Sequence, residues 1–136
     1  MDESQAPDGV AQLIAARDIR RFVREFAAGE TIFRAGDRGQ CMYIVLEGGV
    51  RIVLPAAGGG QQLAELGPGE FFGEMALVDS GTRMADARAM TATRLAEIDR
   101  ARFIYLVGQQ PAFSLTVMRA LARRLARAEA MAPEAR

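Results

Sequence analysis

From about Phe22 to Asp99, apolar residues come in short runs separated by glycine-rich turns. The stretch "ETIFRAGD" reads as a strand running into a turn, "CMYIVLEG" as a strand stopped at Gly48, and "VRIVL" as a strand. "PAAGGG" reads as a loop, "QQLAELGPG" as a strand into another turn, and "RLAEIDRARF" closes the series. Strands at this spacing describe an antiparallel sandwich or barrel. Upstream, residues 1–9 lack periodicity and carry Pro7 and Gly9, which predicts a disordered leader. Val10, Leu13, Ile14 and Arg17 then follow at helical spacing and predict a short amphipathic helix.

After Asp99 the period becomes helical. "RARFIYLVGQQ" predicts a short helix, and Pro111 is placed to start the next. "AFSLTVMRALARRLARAEAM" continues it for about five turns of strong helix formers. Leu115, Met118, Leu121, Ala122, Leu125 and Ala128 fall on one stripe, with Arg119, Arg123 and Arg127 elsewhere. That stripe is too long for a small β-domain to cover, so residues 111–129 are expected to form a parallel homodimer. The competing arrangement is a monomer whose helix folds back on the strands. The organisation expected is one domain over residues 10–130 and a tail over 131–136.

Composition narrows the function. A chain of 136 residues with 50% hydrophobic and 25% charged residues suits one compact domain. Net charge zero offers no electrostatic case for a nucleic-acid partner. All 17 basic residues are Arg, the side chain suited to bidentate phosphate contacts, although such usage also follows from genome-wide bias. With no His, the sequence lacks His-based acid–base catalysis, the Ser-His-Asp arrangement and any His-containing metal site. The lone Cys41 reads as a small buried residue of a reducing compartment. No apolar run reaches the length of a membrane span and the N-terminus is unlike a signal peptide, so a cytoplasmic location is expected.

The stretch "FFGEMALVDSGTRMADARA" carries the candidate chemistry. Gly73 followed by "EMALV" predicts a single helical turn whose first amides lack partners within it and point toward any bound anion. Glu74 either favours the positive end of that turn or accepts a hydrogen bond from a ligand hydroxyl. Arg83 either lies solvated in its loop or folds back to clamp a phosphate. The residues by themselves leave both pairs of readings open.

The segment "GEMALVDSGTRMADA" resembles the phosphate-binding cassette of cyclic nucleotide-binding domains. The flanks agree: "IFRAGDRGQCMYIVLEGGVRI" is similar to that family's early strands, and "LGPGEFFGE" to its lead into the cassette. "RLAEIDRARF" resembles the entry to the second helix in kinase regulatory subunits, and "ALARRLA" the long helix of the bacterial catabolite-activator group. The resemblance covers about residues 22–129 and implies an α+β fold. That fold is an eight-stranded antiparallel, jelly-roll-like β-roll with an N-terminal helix and two C-terminal helices. It further implies that Glu74 holds a ribose hydroxyl and Arg83 an exocyclic phosphate oxygen. Gly73 and the backbone amides near Met75, Ala76 and Ala85 would complete the phosphate site. Ile52, Leu63 and Phe71 match pocket-lining positions, each equally readable as plain core.

Two positions depart from the family pattern. Met84 stands where members preferring cGMP tend to carry Thr, which weighs against cGMP and crowds the site. Ala128 stands where the catabolite activators place a hydroxyl that reads adenine, leaving Arg124 or Arg127 as candidates for the base. The catabolite activators continue into a helix-turn-helix domain, whereas this sequence stops at Arg136. The expectation is a stand-alone, non-catalytic regulatory module binding cAMP, with cGMP second and no cofactor or metal. A degenerate module binding a protein or another nucleotide is the alternative, and a metal-centred cupin-like enzyme is a rival that the absence of His opposes.

Overall fold

The computed structural model describes residues 22–55, 60–78 and 81–131. The predicted leader and the helix near residues 10–21 lie outside the described residues. Among the described residues eight strands form: β1 (Val23–Phe26), β2 (Thr31–Phe33), β3 (Cys41–Glu47), β4 (Val50–Leu54), β5 (Gln61–Leu66), β6 (Phe71–Phe72), β7 (Asp86–Ala89) and β8 (Thr93–Asp99). The helices are α1 (Met75–Val78), α2 (Arg100–Gln109) and α3 (Pro111–Met131). They assemble into two four-stranded antiparallel sheets, ordered β1-β8-β3-β6 and β2-β7-β4-β5. The α+β fold with an eight-stranded β-roll and two C-terminal helices is therefore present.

Strand periodicity explains why "CMYIVLE" is apolar throughout. Successive side chains leave opposite faces of a strand. Met42 and Ile44 enter a core shared with Leu106, Phe113 and Val117 of α2 and α3. Tyr43 and Val45 enter a second core, with Val50, Ala87 and Leu95, between the two sheets. A strand covered on both faces shows no alternation, as its sequence shows none. The same rule divides the paired phenylalanines of β6. Phe71 faces the helices and Phe72 faces the inter-sheet core.

The helical ends follow local chemistry. The Asp99 carboxylate caps α2 by accepting from the Arg102 amide at 2.9 Å. Pro111 opens α3, where its missing N–H has no helical partner to lose. The start of α3 is firmly packed: Phe113, Thr116 and Val117 are buried, and Phe103 meets Phe113 edge-on with ring centroids 5.6 Å apart. The stripe from Leu115 to Leu125 is on the other face, with Met118 62% and Leu125 60% exposed. Among the described residues, no helix is long and apolar enough to cross a membrane.

Candidate functional site

Between the second sheet, the β6–α1 turn and α3 lies a cavity of about 500 Å³, a size common among small-molecule sites. Gly73 adopts φ 79°, a left-handed conformation that turns β6 into α1. The turn closes with the Ala76 amide donating to the Gly73 carbonyl at 3.2 Å. The Ala76 amide is thus engaged inside the turn. Met75 and Ala85 both border the cavity.

Arg83 also borders the cavity, yet the residue is 6% exposed and its side chain is turned inward. Its Nη1 donates to the Gly73 carbonyl at 3.1 Å and its Nη2 to the Cys41 carbonyl at 2.8 Å. The guanidinium lies 4.1 Å from the centroid of the Phe33 ring. Its Nε is buried without a hydrogen-bond partner, and among the described residues no carboxylate pairs with it. Among the described residues this buried cation meets neutral carbonyls and the Phe33 and Tyr43 rings and no carboxylate.

Glu74 is held differently. Both carboxylate oxygens lie 3.2 Å from Arg124 Nη1, and Arg124 Nη2 donates to the Phe71 carbonyl. The Arg124 guanidinium also stacks on the Phe71 ring, 4.5 Å from its centroid. One side chain of α3 therefore grips the carboxylate and the strand that leads into the turn.

The sequence matches the cyclic nucleotide-binding domain over residues 23–110. The chain belongs to that family. This cyclic nucleotide-binding domain is 41% identical over 107 residues to the cyclic AMP receptor protein of Thermus thermophilus, across 78% of this chain and 50% of the relative. The crystal structure of the Thermus thermophilus catabolite activator protein superposes with a TM-score of 0.75 at 38% identity, covering 92% of this chain and 57% of that one. The EAL enzyme Bd1971 in its cGMP-bound form matches with a TM-score of 0.61 at 36% identity, covering 79% of this chain and 29% of that one. Its cAMP-bound form gives 0.59 at 36%, covering 78% and 29%. The domain spans about half the length of the curated relative named above.

Most of the residues singled out in the sequence meet at this cavity. Gly73, Glu74, Met75, Ala76, Arg83, Met84, Ala85, Ile52, Leu63 and Arg124 all line it. Phe71 is a correction. Its ring belongs to the helix-side core because alternation sends Phe72, not Phe71, toward the cavity. Met84 is 76% exposed at the rim, so its bulk does not fill the cavity. Arg127 and Ala128 bring the far part of α3 to the same space.

Phe33, Leu66 and Thr82 also line it and were not legible in the sequence. For Phe72, the strand period places it opposite Phe71 but does not say which of the two faces the cavity. Phe33 carried no local signal, since only the fold brings β2 beneath the cassette arginine.

Proposed function

We propose that this domain binds a cyclic nucleotide, cAMP in preference to cGMP, and acts as a non-catalytic regulatory module that reports occupancy through α3. The observation that carries the reading is the buried Arg83 guanidinium, which borders the cavity and has no carboxylate partner among the described residues. A phosphate monoanion would supply a counter-charge through charge-assisted hydrogen bonds. Glu74, across the same turn, accepts a hydrogen bond from the ribose hydroxyl. Ile52, Leu63 and Leu66 offer apolar surface to a purine.

The preference for cAMP rests on Met84, which stands where members preferring cGMP tend to carry Thr, and on a relative named for cyclic AMP. Transmission rests on Arg124. A ribose hydroxyl that takes one of the Glu74 lone pairs alters the contact that holds α3 to the turn. A ligand with different affinity for two placements of that helix shifts their populations by that difference. The exposed stripe of α3 supports a homodimer through residues 111–129.

A thermal-shift panel of cAMP, cGMP and a cyclic dinucleotide, followed by calorimetry, tests the reading. A ligand at 100 times its dissociation constant adds about 2.7 kcal/mol of stability. Stabilisation greatest with cAMP is the expected result. Stabilisation by the cyclic dinucleotide alone would overturn it, as would no response to any of the three.

A further inference from the structure

We propose that Phe33 and Gly39 are positioning residues that hold Arg83 in a pre-formed seat from which it meets the phosphate, an inference that rests on the cyclic nucleotide reading above. The seat has three sides. The Phe33 ring lies under the guanidinium at 4.1 Å, and the Gly73 and Cys41 carbonyls accept from Nη1 and Nη2 at 3.1 and 2.8 Å. The third side is the backbone of Gly39. A Cβ built there would lie 2.1 Å from Arg83 Nε, 2.2 Å from Cζ and 2.5 Å from Nη2. Nothing larger than a hydrogen fits between the β2–β3 connection and the guanidinium. The crowding comes from the side chain of Arg83 rather than from backbone, so Gly39 is required by the arginine's position and not by the path of the chain.

The arrangement makes the arginine ready. A guanidinium carries more N–H donors than two carbonyls use, so donors remain for an anion while the seat is occupied. A long side chain ordered before binding does not lose its rotamer freedom when the ligand arrives, which favours affinity. Phe33 contributes through the electrostatic attraction of its ring for the cation. Phe33 also borders the cavity, so its contact with Arg83 must be separated from any direct contact with ligand.

A double-mutant cycle on the full chain makes that separation, using Phe33→Leu, Arg83→Lys and both together. The seat is tested first without ligand. In thermal melts the destabilisation by Phe33→Leu should be clearly smaller once Arg83 is Lys, because an ammonium cannot lie flat on the ring and reach both carbonyls. Calorimetry with cAMP then tests its use. Phe33→Leu should weaken binding roughly five- to tenfold in the parent and less than about twofold in the Arg83→Lys background. An equal loss in both backgrounds would make Phe33 a wall of the pocket and overturn the proposal.

Gly39→Ala gives an independent arm should Phe33→Leu fail to fold. It should leave a cooperative melt and weaken cAMP binding about as much as Arg83→Lys does, since the added methyl group expels the guanidinium. Unchanged or tighter binding would show that the inward position is not the binding position. Coupling in the melts with no binding of any cyclic nucleotide by the parent would locate the failure in the ligand reading and not in the seat.

Discussion

Arg124 of α3 reaches Glu74 at the start of the β6–α1 turn, its Nη1 standing 3.2 Å from both carboxylate oxygens. The pair is half-sheltered, with side-chain exposures of 31% and 16%, so neither charge is easily left alone. It joins the residue proposed to read the ribose to the helix proposed to report occupancy.

The Glu74→Gln variant tests that double role. It should distinguish cAMP from its 2′-deoxy analogue less well than the parent, because the charge-assisted bond to the hydroxyl is what separates them. Titrating both ligands against both proteins measures it. Equal discrimination would return Glu74 to a structural partner of Arg124.

Arg83→Lys keeps the charge but loses the planar fork. Binding of cAMP should fall by about tenfold or more while the fold persists, since hydrogen bonds to charged groups contribute about 1.5–3 kcal/mol. Calorimetry reads the affinity and far-ultraviolet circular dichroism the fold. An unchanged affinity would remove Arg83 from the phosphate site.

The exposed stripe on α3 leads to a prediction about assembly. Leu121→Arg should turn a dimer into a monomer in sedimentation at micromolar concentration, because it places a charge in the middle of the apolar face. A parent chain that is monomeric with and without cAMP would rule out the stripe as a dimer interface.

Phe113 is fully buried at the junction of α2, α3 and the first sheet. Replacing it with Ala should cost about 3–5 kcal/mol, the range for deleting a buried aromatic ring. Urea denaturation at constant m-value checks it. A loss under about 1 kcal/mol would mean that the junction collapses to fill the space.

Alkaline pH should destabilise the fold. Burial pushes the Cys41 thiol up, and burial pushes the Tyr43 phenol far above its ordinary range. Both groups keep their protons in the folded state after the unfolded chain has lost them, so stability falls as pH rises. The loss begins near the unfolded thiol value of about 8.5 and steepens past the phenol value of about 10. Tyr43→Phe should flatten the upper part of the curve in thermal melts from pH 7 to 11. Parallel curves for the two proteins would contradict the assignment.

Much of this architecture is set by local chemistry and could be read from the chain. Gly48 ends β3, Pro111 starts α3, and the Gly73 turn introduces a short helix, because each depends on backbone conformations that neighbouring residues dictate. Glu74 and Arg83 were singled out by the resemblance of their segment to the family's phosphate-binding cassette, not by local conformation. Tertiary structure decided the rest. It assigned Phe71 to the core and Phe72 to the cavity, since a two-residue apolar run does not say which face of its strand is covered. It brought Arg124 to Glu74 across 50 positions and Arg83 to Cys41 across 42. Those pairings arise only when sheets and helices pack, because a side chain's partner in space is set by the register and layering of whole elements and leaves no mark on the residues beside it.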